Sequence, residues 1–209
     1  MVNMGYSVVN RTILLTVFMF SAACLAQEGP VEELTHTIPP NPTPDLPSTV
    51  DAQVEQSFAA SVASFQEVGR GEMQWWWFTL YRARLLTPDG AYRQGQYPLV
   101  LDIEYYQDIP SSRLLEATLD QWQHLGLDDN RQLLWQTTLS ELWPDVTEGD
   151  KLSLKVMSPQ VSQFYFNGKP LSKAMPAGFS DDFLSIWLSD QTSRPDLRKQ
   201  LLGEVACDC

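Results

Sequence analysis

The sequence predicts an α+β fold in which antiparallel strands carry a layer of helices. Three observations carry this expectation. Segments of alternating apolar residues, bounded by turn residues, mark strands. Segments with apolar residues at i, i+4, i+7 and i+8, closed by Gly or Pro, mark helices. Their order is strands, a helical pair, a strand hairpin and two final helices, a segregation that suits α+β.

The 209 residues leave room for one domain and additional segments. Residues 1–26 are expected to be a signal peptide. The apolar run Ile13–Ala26 follows Arg11, ends in small residues and falls short of the about 20 residues of a membrane span, so no transmembrane span is expected in the mature chain. Cleavage after Ala26 competes with lipoprotein processing at Cys24, where Ser21 departs from the usual leucine. Both routes lead across the inner membrane, to a periplasmic protein or a lipoprotein. Residues 27–49 are expected to form an extended acidic linker. Pro30, Pro39, Pro40, Pro42, Pro44 and Pro47 dominate it, and bulky apolar residues are too few to offset the entropy of ordering. Such a segment would also serve as a spacer behind a lipid anchor. Residues 50–204 then form the domain and 205–209 a tail.

Within the domain, Val54, Phe58, Val62 and Phe65 have nearly helical spacing, and their segment reaches the sheet at its end. A strand is expected over Trp75–Thr87, apolar on both faces as in a covered central strand. Pro88-Asp89-Gly90 turns the chain. The next strand, Pro98–Tyr106, directs Leu99, Leu101, Ile103 and Tyr105 to one side. Asp102 and Glu104 face the other, where they can pair with Arg82 and Arg84 across the ladder. A helix over Ser112–Leu125 aligns Leu115, Leu119 and Trp122 before Gly126. A second, capped by Asp128 or Asp129, aligns Trp135, Leu139, Leu142 and Trp143 before Pro144. Lys151–Met157 alternates as a strand with one wet face. Gln163–Phe166 and Lys169–Leu171 flank Asn167-Gly168, the pair a type I′ turn favours, with Pro170 implying an edge. Two last helices follow: Ser180 caps a stripe of Phe179, Phe183, Ile186 and Trp187, and Ser193 caps Leu197 and Leu201 before Gly203.

Composition excludes several functions. The chain carries a formal charge of −12, and removing residues 1–26 takes away Arg11 and no acid. Such a surface repels phosphate backbones, so nucleic acid is not an expected partner. His36 and His124 are the two histidines and make no metal pair. No Ser–His–Asp arrangement, phosphate-cradling glycine loop or CxxC is present, so no metal and no cofactor is expected. Asp128-Asp129 and Asp181-Asp182 read as helix caps. Cys207 and Cys209 are too few for a metal site and too close for an easy bridge, which leaves a reactive tail or a pairing between chains.

Several strings resemble the bacterial secreted branch of the chalcone isomerase-like family. They are Gly69-Arg70-Gly71, Leu80-Tyr81-Arg82-Ala83, Leu99–Tyr106, Trp143-Pro144-Asp145-Val146 with Glu148-Gly149-Asp150, Phe164–Leu171, Ile186-Trp187-Leu188 and Leu197–Gly203, spanning roughly residues 68–203. The resemblance implies an open-faced β-sandwich: a large antiparallel sheet with helices layered on it. Relatives include plant flavanone-forming isomerases and fatty-acid-binding proteins, in which an arginine after the glycine-containing turn polarises a ketone or holds a carboxylate. Alignment on Tyr81-Arg82-Ala83 puts Met73 there, which offers neither charge nor a strong donor. Chalcone cyclisation loses its main electrostatic lever without that group.

The expected function is therefore non-enzymatic: binding a small apolar or amphipathic molecule such as a fatty acid, with no catalytic residue assigned. Arg82, Arg84, Trp76, Phe78 and Tyr106 are the candidate ligand-binding residues, the arginines at the mouth of an apolar cavity. The alternatives are a structural or interaction protein whose cavity is filled by its own tryptophans, and an isomerase or lyase with Arg82 or Arg84 as a relocated arginine and Tyr81, Tyr105 or Tyr106 as acid.

Overall fold

A computed structural model describes residues 58–209. The expected signal peptide, the Cys24 alternative and the linker of residues 27–49 lie outside the described residues. Six strands form one antiparallel sheet in chain order: β1 (Gln66–Trp75), β2 (Phe78–Thr87), β3 (Leu99–Tyr105), β4 (Lys151–Ser158), β5 (Val161–Phe166) and β6 (Lys169–Met175). Helices α1 (Ser111–His124) and α2 (Asp129–Leu142) form the long connection from β3 to β4. Helices α3 (Phe179–Leu188) and α4 (Pro195–Leu201) follow the sheet. This is the α+β, open-faced arrangement expected from the element order.

The two faces of the sheet differ because the side-chain period is two. Register aligns Leu85, Leu101, Leu154 and Phe164 in one row and Ala83, Ile103, Leu152 and Phe166 in the next. That face is buried with the helical residues Trp122, Trp135, Leu139, Phe179, Phe183 and Trp187. Aromatic rings fill the middle of this core. Phe164 lies 5.8 Å from Phe179 and 5.3 Å from Phe183, while Trp122 and Trp135 meet Phe179 edge-on. Each such pair adds about 0.5–1.5 kcal/mol beyond burial. The opposite face is polar: Arg84, Asp102, Ser153 and Tyr165 share a row there. Residues 58–62 are helical, and Phe58 rests on Tyr165 at 4.2 Å.

Asp182 ties the helices together. The indole of Trp135 donates to its carboxylate at 2.7 Å, Arg131 pairs with it at 2.7 Å, and Trp122 donates to its backbone oxygen at 2.9 Å. Burial pushes the Asp182 carboxyl above the ordinary carboxylate range, against the opposing pull of Trp135 and Arg131. It is a core connector as well as a first-turn acid.

At the sheet edge, Gly69 and Gly71 let α4 lie directly against β1. A Cβ on Gly69 would stand 2.1 Å from the Gln200 carbonyl oxygen, and one on Gly71 would stand 2.6 Å from Leu197 Cδ1. Leu197 and Leu201 are buried in this contact zone.

Several local expectations need correction. The strand expected over Trp75–Thr87 is interrupted: Trp76 and Trp77 form a two-residue turn, with Trp75 pairing with Phe78. Trp76 has φ 57°, the positive value that a type II′ turn needs in its first position. Three tryptophans are strong strand formers, so local preference conceals this turn. β2 is also not covered on both sides, since Arg82 and Arg84 face the polar side. β1 itself was masked by its glycines. Ser180 does not cap α3, because Gly178 in a left-handed conformation precedes the helix and Ser180 is buried within it. Arg194, not Ser193, occupies the cap position of α4. Cys207 and Cys209 are joined to each other in a disulfide. By contrast, Asp128 caps α2 through the N–H groups of Asn130 and Arg131, and Asn167-Gly168 turns β5 into β6, the edge strand carrying Pro170.

Candidate functional site

The expected arginines lie on the open face, away from the helical layer. Arg84 pairs with Asp102, which also accepts a 2.6 Å hydrogen bond from Ser153. Arg82 pairs with Glu72 at 2.8 Å and sits over the Tyr106 ring, 5.6 Å from its centroid. Arg82 and Tyr106 are thus brought together, with Arg84 on the same face. Trp76 and Phe78 sit apart, at the exposed β1–β2 tip. The pairing of Arg84 with Asp102 follows the cross-strand expectation. Arg82 instead finds its acid on β1, its other neighbour strand.

A groove opens on the other side of β1, between that strand, the start of α4 and the C-terminal tail. Its volume is about 450 Å³. Met73 and Leu197 supply apolar wall, Gln200 a neutral polar group, and Cys207 and Cys209 close one side. Arg194, at the junction of α3 and α4, also lines it. Among the described residues, every other arginine has a carboxylate partner. Arg194 has none. Two of the groove's acids are engaged elsewhere, Glu72 with Arg82 at 2.8 Å and Asp196 with Lys199 at 3.7 Å. Asp208 also lines the groove.

Tyr81 stands beside this groove through its cross-strand partner Met73. Its hydroxyl accepts the Trp187 indole N–H at 3.0 Å, which leaves its own proton available to donate. Burial pushes the Tyr81 phenol up to about 12, although the Trp187 bond and the charge of Arg194 pull the other way. Tyr105, 6.0 Å from Tyr81 between ring centroids, is raised further by its own burial. Both phenols stay protonated at neutral pH. They suit donation of a hydrogen bond better than proton transfer.

Met73 on β1 and Arg194 at the start of α4 line the same groove, so a positive charge reaches this wall of β1 from a different element. Arg194 escaped the sequence reading because Ser193-Arg194-Pro195 resembles an ordinary helix start. Its proximity to Met73 and Tyr81 arises only when α4 docks on Gly69 and Gly71.

The profile of the chalcone isomerase-like family matches residues 50–203, and the chain belongs to that family. An uncharacterised protein of Haemophilus influenzae is 27% identical over 147 residues, covering 70% of this chain and 72% of that protein. The crystal structure of an Arabidopsis thaliana fatty-acid binding protein superposes with a TM-score of 0.50 at 10% identity, covering 68% of this chain and 88% of that one. At that identity the likeness establishes the fold.

Proposed function

We propose that this chain is a non-enzymatic binding protein of the cell envelope. It takes a small amphipathic molecule, such as a fatty acid, in the groove between β1 and α4. The observation that carries this reading is Arg194, an arginine without an acidic partner beside the apolar surface of Met73 and Leu197. A guanidinium so placed can hold a carboxylate through two N–H groups, and the apolar wall can take part of a hydrocarbon chain. The fatty-acid binding protein among the structural neighbours agrees with this ligand class. Met73 in place of the family arginine and two phenols that do not ionise near neutrality favour binding over catalysis. Periplasmic location follows from the proposed signal peptide, with cleavage after Ala26 or lipid attachment at Cys24.

One observation favours a structural or interaction role instead. The space between sheet and helices is filled by the protein's own rings, including Trp122, Trp135, Trp143, Phe164, Phe179 and Phe183. Titration with a fluorescent long-chain fatty acid separates the two readings. Saturable binding weakened about tenfold or more in Arg194→Ala, the scale of one lost hydrogen bond to a charged group, supports the groove. Absence of saturable binding leaves the structural role.

A further inference from the structure

The β1–β2 tip presents an aromatic surface that the groove does not use. Trp75, Trp76, Trp77 and Phe78 are 64%, 79%, 73% and 49% exposed. Trp77 lies 5.4 Å from Trp76 and 5.1 Å from Phe78, ring to ring, and among the described residues these rings meet no others. The tip projects beyond its neighbour strand. Pairing of β2 with β3 ends at Tyr81 and Tyr105, followed by one bond from the Tyr106 N–H to the Leu80 oxygen. The residues beyond Leu80 carry the turn roughly 10 Å further at the usual rise per residue.

The tip is also neutral. Residues 74–79 read Gln-Trp-Trp-Trp-Phe-Thr, and the nearest charged pair along the hairpin, Glu72 and Arg82, is mutually compensated. Trp76 has φ 57°, a value at which glycine would be easier. The fold gains little burial from that ring.

We propose that this tip docks into the interfacial region of a phospholipid bilayer. Tryptophan combines an apolar body with an N–H donor and is enriched at the headgroup level of membranes. A narrow point of four rings suits insertion between lipids. A standard protein interface instead uses about 20–30 residues a side. The surrounding chain carries a charge of −12, which opposes anionic lipid, so the fitting surface is zwitterionic. The tip stands independently of any ligand in the groove.

The test uses the full processed chain with phosphatidylcholine vesicles carrying bromine at a shallow acyl position, and reads tryptophan emission. All seven tryptophans lie between residues 75 and 187, so the N-terminal segment contributes no signal. Four of them, Trp122, Trp135, Trp143 and Trp187, are buried in the core. Vesicles are expected to blue-shift and quench the emission of the remaining three. Because the variants remove reporter rings, they are compared by co-sedimentation with the vesicles: Trp76→Ser/Trp77→Ser is expected to weaken partitioning about tenfold or more, while Arg194→Ala leaves it unchanged. Trp76→Gly separates docking from folding: thermal stability should hold or rise while partitioning falls. An unquenched wild type, equal partitioning of the double variant, or a Trp76→Gly protein that melts earlier overturns the proposal.

Discussion

Replacing Gly69 by alanine tests how the groove wall is built. The new Cβ would lie 2.1 Å from the Gln200 oxygen, 2.8 Å from the Gly203 nitrogen and 2.9 Å from the Leu201 oxygen. All three are backbone atoms, so no rotamer change relieves the overlap and α4 must retreat. Overpacking of this kind costs about 1–3 kcal/mol, occasionally more. Full undocking would expose Leu197 and Leu201, at about 1.5–3 kcal/mol each, which sets an upper bound of about 6 kcal/mol. The loss of unfolded-state entropy works in the opposite direction by only about 0.4–1 kcal/mol. A net destabilisation of about 3 kcal/mol is therefore expected for Gly69→Ala. Gly71→Ala should cost less, about 1–2 kcal/mol, because its nearest obstacles are the Gln200 and Leu197 side chains. Urea unfolding followed by tryptophan fluorescence measures both, and amide exchange localises the effect to α4. If Gly69→Ala stays within 0.5 kcal/mol (about the error of such a comparison) of wild type, or if Gly71→Ala costs more, the close packing of α4 on β1 is wrong.

Other expectations follow from the core and the phenols. Asp182→Ala leaves the Trp135 indole without its acceptor and should cost about 2–4 kcal/mol, whereas Asp182→Asn keeps an acceptor and should cost about 1 kcal/mol; denaturant midpoints distinguish the pair. The Asp182 carboxyl is raised by burial, so its titration favours the fold below the unfolded carboxylate pKa of about 4 and loses that contribution as pH rises through the folded value. The advantage of wild type over Asp182→Asn should therefore shrink from acid towards neutrality. Tyr81, raised to about 12, stabilises the fold below the ordinary phenol value and loses that contribution between about pH 10 and 12. Two units correspond to at most about 2–3 kcal/mol, and Tyr81→Phe should flatten that alkaline loss in unfolding experiments. Arg84→Ala and Arg82→Ala should each cost about 0.2–1 kcal/mol, as expected of cross-strand pairs, and Arg84→Ala should leave fatty-acid binding intact.

Much of the domain was legible because local pattern and burial agree. The stripes of α1 and α2, the Asp128 cap, the alternation in β3 and β4 and the Asn167-Gly168 turn each satisfy one local rule and one packing demand. The Arg84–Asp102 pair was legible for the same reason, since antiparallel neighbours meet across the ladder. Failures occurred where tertiary contact decides. Gly69 and Gly71 carry no strand preference, and only the docking of α4 explains their place in β1. Trp76-Trp77 carries none of the usual turn residues, so local preference predicts strand where the chain turns. Ser180 has the chemistry of a cap, yet the left-handed turn at Gly178 starts α3 two residues earlier and buries it. At the candidate site, the strand period turns Arg82 and Arg84 to the polar face, where Arg84 forms the cross-strand pair expected of it and Arg82 pairs with Glu72 instead. Arg194 is brought beside Met73 by the docking of a distant helix, which periodicity cannot reveal.

Native mass spectrometry of the protein taken from its own host tests most directly whether the groove holds an amphiphile. Wild type is predicted to carry an added mass of fatty-acid size that collisional activation releases, and Arg194→Ala to arrive bare while Arg84→Ala keeps its cargo. A bare wild-type polypeptide, or a cargo retained equally by Arg194→Ala, would contradict the proposed site.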